Sequence, residues 1–381
     1  MRAISGRLST ASLPRADSPA RLGTLGTLRW SVLVAALALS TIGLLAVRSA
    51  AAEIGAGHFA RQLSWVAAGL AAMLVAFAID YQKLLAGSPL LYAGGLVALV
   101  LVLPFGHRAG GAVGWLRFGS VGIQPSEFAK LATAVVLAYY LSIASERYLT
   151  LRQLLAVVGI AAAPMLLAAL QPDLGGAAMF VPMVAGAVLV AGVRWQVVAV
   201  SFSIVLVVGA AIWLFGMRDY QRQRVRTFLA PASDPLGAGY QVRQSKIAVG
   251  SGQLLGRGYR QGTQSQLRFL PARHTDFILA VVAEELGFAG VAAVLGLYGW
   301  LLAAIASVAQ RARDRGGLLL VVALASIVAF HVLYNSAMVI GLVPITGIPL
   351  PFLSYGGSFT LVNWMIVGLI LNVDYRRHVN R

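Results

Sequence analysis

The chain has 381 residues, of which 59% are hydrophobic and 11% are charged, and it contains 41 glycines and no cysteine. A soluble domain carries about a quarter charged residues, so this composition excludes one and predicts an all-α polytopic membrane protein. The net charge of +17 does not predict nucleic-acid binding, because the arginines lie in short clusters beside apolar spans. Without cysteine there is no disulfide, thiolate metal site or cysteine nucleophile.

Residues 1–29 are polar and basic, and the apolar stretch after them has no convincing signal-cleavage site. We therefore predict a disordered basic cytoplasmic tail at 1–29 and a transmembrane domain at 30–376. A bilayer core needs about 20 mostly apolar residues per helix. About ten segments meet this need, at roughly 30–47, 62–79, 89–104, 126–143, 153–170, 174–192, 196–216, 277–309, 317–341 and 357–373. The segment at 277–309 is too long for a simple crossing and is expected to tilt or to project beyond the bilayer.

The basic residues in the short loops indicate the orientation of these spans. If the N-terminus is cytoplasmic, the inner side holds fifteen basic residues and the short outer loops hold four. Both termini are therefore predicted to be cytoplasmic. The long loop between the seventh and eighth spans, about residues 217–275, is then extracytoplasmic.

This long loop is rich in arginine and ends at an aspartate, Asp276, directly before an apolar helix. A carboxylate at a membrane boundary is costly, which makes Asp276 a candidate functional residue. The loop carries ten basic residues, Arg218, Arg222, Arg224, Arg226, Arg243, Lys246, Arg257, Arg260, Arg268 and Arg273. One interpretation is a surface for anionic lipid headgroups. The other is a site for a lipid-linked diphosphate, since guanidinium groups pair bidentately with phosphate.

Three more charged residues lie at the same predicted outer face. Glu127 and Lys130 open the fourth span and lie three residues apart, so they share a helix face and can pair. They form either a structural ion pair or a pair in which Lys130 contacts a substrate phosphate, and both interpretations can hold. Asp173 lies in the turn after the fifth span, where it is expected to cap the next helix.

Other polar residues and one irregular segment complete the predictions. Glu284 and Glu285 lie early in the eighth helix, and the sequence does not decide between a structural and a functional role. His331 and Asn335 lie one helical turn apart and are interpreted as core polar packing. The apolar segment at 343–358 is too rich in proline and glycine for a helix, so it is expected to be buried or to line a cavity.

These segments together resemble the SEDS family (shape, elongation, division and sporulation). The matching motifs run in order from the fourth span to the tenth: Gln124-Pro125-Ser126-Glu127 with Lys130, Gln171-Pro172-Asp173-Leu174-Gly175, Asp234-Pro235-Leu236-Gly237-Ala238-Gly239-Tyr240, Gln244-Ser245-Lys246, Gly262-Thr263-Gln264-Ser265-Gln266, His274-Thr275-Asp276-Phe277, Ala283-Glu284-Glu285-Leu286-Gly287 and Gly347-Ile348-Pro349-Leu350-Pro351-Phe352-Leu353-Ser354-Tyr355-Gly356-Gly357-Ser358. The motifs at 262–266 and 347–351 favour an elongation-type member over a division-type one. Ala272 is a departure, because the family typically has an acid there.

The resemblance implies a peptidoglycan glycosyltransferase of the cytoplasmic (inner) membrane with its active site on the outer face. Such an enzyme polymerises lipid II into β-1,4 glycan, releases undecaprenyl diphosphate, and works with a class B penicillin-binding protein and elongation-complex proteins. Asp276 is then the candidate general base. Phosphate-binding candidates are Lys130, Arg222, Arg224 and Lys246, with Arg117 and Arg273 as weaker ones, while Glu127 and Asp173 would position substrate. His274 is expected to be structural.

Two alternatives remain beside an elongation polymerase. A lipid II flippase would also use many spans and broken outer helices, and a non-catalytic scaffold would only bind partners. A division-type polymerase is a variant of the first interpretation. No dense carboxylate cluster predicts a resident metal, and a divalent cation such as Mg²⁺ or Mn²⁺ is left open as an aid to the leaving diphosphate.

Overall fold

The computed structural model describes residues 29–52, 57–109, 112–119, 121–144, 148–200, 203, 222, 226–230, 234–235 and 237–377. Within these residues, 195–200 and 226–229 are helical, and the elements with both ends described are thirteen helices and three strands. In chain order they are α1 (Trp30–Ala50), α2 (Gly57–Ala78), α3 (Tyr81–Ala86), α4 (Ser88–Phe105), β1 (His107–Ala109), β2 (Ala112–Phe118), β3 (Val121–Ile123), α5 (Pro125–Ser142), α6 (Leu151–Leu170), α7 (Leu174–Ala178), α8 (Phe180–Ala191), α9 (Ala238–Ser251), α10 (Thr263–Gln266), α11 (Ile278–Arg311), α12 (Arg315–Val339) and α13 (Gly357–Arg376).

The fold confirms a mostly helical membrane protein. Eight helical segments in the described part of the chain are long and apolar enough to cross a bilayer: α1, α2, α4, α6, α7 with α8, α11, α12 and α13. Helix α5 has 18 residues but is less apolar, because it carries Glu127 and Lys130 in its first turns. Of the span expected at 196–216 the structure describes only residues 196–200 and 203, which are helical, so the count of ten and the orientation stay predictions.

The all-α prediction misses a small antiparallel sheet between α4 and α5. Strand β2 pairs with β1 on one side and with β3 on the other. Glycines stand where the chain reverses, and residues 113–123 are rich in the β-branched and aromatic types that favour strands. The sheet packs on α4, α5 and α13, and Arg117 lies exposed on β2.

The unusually long α11, of 34 residues, is broken at Gly287, and its tilt or projection beyond the bilayer stays a prediction. Gly287 has φ 66° and ψ −165°, a conformation available essentially to glycine alone. The long loop before α11 satisfies the backbone groups that the break exposes. The amides of Phe288 and Ala289 donate to the carbonyls of residues 253 and 254, and the amides of residues 257 and 258 donate to those of Glu284 and Glu285, at 2.8–3.0 Å.

Helices α12 and α13 make the central packing contacts of the described part of the chain. Helix α13 is almost wholly buried and packs against α2, while α12 packs against α5, α8 and α11. Between α12 and α13 no residue of the described segment 343–356 is helical, as the sequence predicts. This segment, called here the Pro-rich loop, is buried at Ile348, Leu350 and Leu353.

Candidate active site

Asp276 lies at the end of a tight turn that leads into α11. The amides of Thr275 and Phe277 both donate to the carbonyl of Ala272, at 3.1 and 3.2 Å. Ala272 has φ 49°, so the turn forms in this chain without the acid that the family typically has at that position. Phe277 is wholly buried while Asp276 is half-buried. The buried phenylalanine anchors the helix start and leaves the preceding carboxylate at its edge.

The Pro-rich loop forms one wall beside Asp276. A Cβ placed on Gly347 would lie 3.5 Å from Oδ2 of Asp276, so the loop backbone reaches the carboxylate directly. Gly347 has φ 74°, so a side chain there would strain the backbone. The loop satisfies its backbone with side chains: His331 Nδ1 lies 2.9 Å from the carbonyl of Pro349, and the Tyr334 hydroxyl donates to that of Pro344 at 3.0 Å.

Asp173 lies on the other side of the same loop. It caps α7 as expected, because its Oδ1 accepts the Gly176 amide at 2.8 Å. Its second oxygen accepts from Gln124 Nε2 at 3.3 Å and from Ser126 Oγ at 3.5 Å. A Cβ on Gly175 would lie 2.6 Å from the carbonyl of Thr346, so this turn packs against the loop.

The fold therefore brings together four of the sequence motifs. The starts of α5, α7 and α11 meet around residues 346–348 of the Pro-rich loop. The first and last of these motifs, at Gln124 and Gly347, lie 223 positions apart in the chain, so no local pattern could place them together.

Glu127 and Lys130 form the buried ion pair that their spacing predicts. The Nζ–Oε1 distance is 2.8 Å, and the side chains are 3% and 8% exposed for Lys130 and Glu127. Helix α5, which carries the pair, packs against α12, the helix that carries Asn335. The structure thus contains the ion pair that the structural interpretation requires. Contact of Lys130 with a substrate phosphate stays a prediction.

The other predicted cation sites are scattered. Lys246 is exposed on α9, and its Nζ lies over Gly341, where a Cβ would be 2.9 Å away. Arg273 is 3% exposed, and its Nε donates to the carbonyl of Ala50 at the end of α1, at 2.6 Å. Arg222 is half-buried and is described without its chain neighbours, and Arg224 lies outside the described residues. Arg117 stands on β2.

His274 belongs to an aromatic cluster beside Asp276. Its ring lies 5.7 Å from that of His58 and 5.6 Å from that of Tyr355, measured between centroids. Burial, with the charges of His58 and Arg273, lowers the pKa of His274 from 6.5 to about 4. The imidazole is therefore neutral at physiological pH and adds no charge next to Asp276.

Glu284 and Glu285 hold the long loop against the helix tops. Glu284 accepts the amides of Gln264 and Ser265 at 2.8 and 3.1 Å, which caps the start of α10. Glu285 accepts from the Ser49 hydroxyl and from Gln266 Nε2. Both acids thus have structural contacts that the sequence did not reveal. Among the described residues no group of three or more His, Asp or Glu is placed to hold a metal ion.

Comparison with known proteins identifies the family. The model of the cell cycle protein family of FtsW, RodA and SpoVE matches residues 29–379. The chain belongs to this family, which confirms the resemblance drawn from its motifs.

Curated relatives cover nearly the whole chain. The chain is 38% identical over 347 residues to the peptidoglycan glycosyltransferase MrdB of Escherichia coli K12, covering 91% of this chain and 93% of that one. It is 32% identical over 422 residues to the peptidoglycan glycosyltransferase RodA of Treponema pallidum, covering 91% and 97%. It is also 34% identical over 359 residues to the probable peptidoglycan glycosyltransferase FtsW of Trichlorobacter lovleyi, covering 90% and 92%. Elongation and division types therefore both match.

Solved structures share the fold. A chain from a peptidoglycan synthase complex that coordinates polymerization and crosslinking superposes with a TM-score of 0.81 at 31% identity, covering 91% of this chain and 98% of that one. The rod shape determining protein RodA of Thermus thermophilus superposes with a TM-score of 0.69 at 28% identity, covering 91% and 97%.

Proposed function

We propose that this chain is a peptidoglycan glycosyltransferase that polymerises lipid II into β-1,4 glycan during cell elongation. The names of the curated relatives support the activity. The motifs at 262–266 and 347–351 favour elongation over division. The observation that carries the proposal is the half-buried Asp276, held where four motifs meet at one end of the helices.

The reaction needs a base at this place. The 4-hydroxyl of the acceptor sugar attacks the anomeric carbon of the donor, and the bond from that carbon to the diphosphate oxygen breaks. The hydroxyl proton passes to the carboxylate of Asp276, and undecaprenyl diphosphate departs as an anion. An α-linked donor gives a β product, so the configuration inverts, as it does when a carboxylate activates water in inverting glycosidases.

The departing diphosphate gains negative charge, so cations aligned beforehand are expected to lower the barrier. Lys130, Arg222, Arg224 and Lys246 remain the candidates. Of these, Lys246 is exposed at the outer end of α12, where its ammonium can reach a bound anion. Arg273 is a weaker candidate, because its Nε already donates to Ala50.

An apolar groove beside the site suits a polyprenyl tail. A cavity of about 610 Å³ lies between α2, α4, α5 and α13, lined by Val75, Leu91, Leu116, Phe128 and Leu131 among other apolar side chains. Its lining includes Ile123 and Pro125, on either side of Gln124, whose side chain contacts Asp173. A lipid chain in this groove would place its diphosphate near the meeting point of the motifs.

The proposal includes the cytoplasmic membrane as the location and the extracytoplasmic face as the side of the site, and the count of arginines in the short loops supports that orientation. Its partner is a class B penicillin-binding protein that supplies the crosslinking transpeptidase. The similarity to a chain of a complex that coordinates polymerization and crosslinking supports this partner.

The test is glycan synthesis from lipid II in liposomes, with the penicillin-binding partner present. Wild type is expected to make polymer, and Asp276→Asn is expected to make none while staying folded. Asp80→Asn is the matched control, because Asp80 pairs with Arg376 at the other end of the molecule. Equal polymer from wild type and Asp276→Asn would remove Asp276 as the base. Transbilayer movement of lipid II without polymer, retained in Asp276→Asn, would favour the flippase.

A further inference from the structure

The three residues that end the long loop share one property: the backbone carbonyl of each accepts a hydrogen bond from the other side of the site. The bonds run from the Tyr355 amide to His274, from the Ser354 hydroxyl to Thr275 and from the Asn335 side-chain amide to Asp276, at 2.9, 2.6 and 2.8 Å. Three consecutive peptide groups are therefore fixed just before α11 begins.

Two of these donors, Asn335 and Ser354, also form hydrogen bonds with the backbone of the Pro-rich loop. Asn335 Nδ2 donates a second hydrogen bond to the carbonyl of Ile348, at 2.8 Å. Ser354 Oγ accepts the amide of Leu350, at 2.8 Å. Asn335 is 0% exposed and Ser354 is 1% exposed, so water does not compete for these hydrogen bonds. Each side chain is thus a bridge between the backbone at 275–276 and the loop at 348–350.

The bridges bear on where the carboxylate of Asp276 stands. With its backbone fixed, only two side-chain torsions remain to place the carboxylate. The same bridges hold the loop that carries Gly347, whose Cβ position lies 3.5 Å from Oδ2. The same hydrogen bonds therefore fix both Asp276 and the Pro-rich loop beside it. A displacement of a catalytic group by about 1 Å can lower a rate about 100-fold.

We propose that Asn335 and Ser354 are positioning residues for Asp276. This rests on the proposed function, in which Asp276 is the general base. Asn335 commits both protons of its Nδ2 to carbonyls, so Asn335→Ala removes two bonds at once. Ser354→Ala removes one donor and one acceptor, whereas Ser354→Thr keeps the hydroxyl.

The test compares steady-state glycan synthesis, with the partner present, for these variants and for two matched controls. Asn363 is 2% exposed but donates only within its own helix, to the carbonyl of Phe359 at 2.7 Å. Ser326 likewise donates to the carbonyl of Val322, at 2.8 Å. Asn335→Ala and Ser354→Ala are expected to lower kcat about 10- to 100-fold, with KM for lipid II changed by less than about twofold. Asn363→Ala, Ser326→Ala and Ser354→Thr are expected to keep most of kcat.

Amide hydrogen exchange gives a readout without activity. Ser354→Ala is expected to speed exchange at Leu350, and both alanine variants are expected to speed it at Tyr355. A wild-type kcat in Ser354→Ala, or a loss of kcat equal to that in Asn363→Ala, would overturn the proposal. If Asn335→Ala does not fold, Ser354→Ala with its threonine counterpart decides. If wild type makes no glycan, the proposed function fails, while unchanged exchange at Leu350 and Tyr355 would separately refute the bridges.

Discussion

Replacing Lys130 alone should destabilise the protein more than replacing both members of its ion pair. At an effective dielectric constant of about 20, unit charges 2.8 Å apart attract by about 6 kcal/mol. Desolvation offsets part of this, so breaking a buried pair is expected to cost about 3–5 kcal/mol. Lys130→Met leaves the carboxylate of Glu127 without its ion-pair partner, and the Glu127 side chain is only 8% exposed. An unpaired buried charge of this kind is what destabilises the protein. In the double variant with Glu127→Gln neither charge is left, and the free energy of unfolding is expected within about 1–2 kcal/mol of wild type.

The assay is equilibrium unfolding in mixed micelles, with Lys83→Met as the control because Lys83 is exposed. A free energy of unfolding for Lys130→Met within about 1 kcal/mol of wild type would refute the reasoning. Glycan synthesis then separates the two roles of Lys130. If the double variant is stable and inactive, Lys130 acts on substrate as well as on structure. If it is stable and active, the ion pair is structural only.

Three further outcomes follow from the geometry. Folding lowers the pKa of His274 from 6.5 to about 4, so between these pH values the unfolded chain binds a proton that the folded chain does not. The free energy of unfolding should therefore fall by up to about 3 kcal/mol as the pH drops through this range. The same fall should be absent in His274→Phe. Gly287→Ala should lower the free energy of unfolding by about 1–3 kcal/mol in the same micelle assay, while Gly296→Ala, whose new methyl meets nothing within 4 Å, should not. Gly94→Trp, which fills the apolar groove, should raise KM for lipid II about tenfold. The control Gly159→Trp, at a glycine that also faces open space, should leave KM unchanged. An unchanged KM in both variants would remove the groove as the lipid site.

Local pattern was sufficient for the class of protein and for most of its helices. Helix α4 begins and ends within one residue of the predicted span, since the length of an apolar run follows from bilayer thickness alone. The ion pair of Glu127 and Lys130 was also predictable, because residues three apart on a helix must be neighbours. The small sheet was missed, because strands of three to seven residues between long helices give only a weak signal.

The candidate site shows where local pattern ends. Asp276 was predicted as a candidate because a carboxylate at a membrane boundary is costly wherever the chain goes. Asn335 was read as core packing, and its contacts are with residues 59 and 13 positions away in the chain. Glu284 and Glu285 have the same residue type and nearly the same depth, yet different partners.

The sequence alone determined that the chain is a membrane protein and which family it belongs to, and it predicted Asp276 as the candidate base. Each of these follows from composition or from short segments. Only the tertiary structure decided which side chains hold that residue, because a hydrogen bond depends on distances between segments that the sequence does not order in space. The bridges from Asn335 and Ser354 exist because α12 and the Pro-rich loop pack against the start of α11.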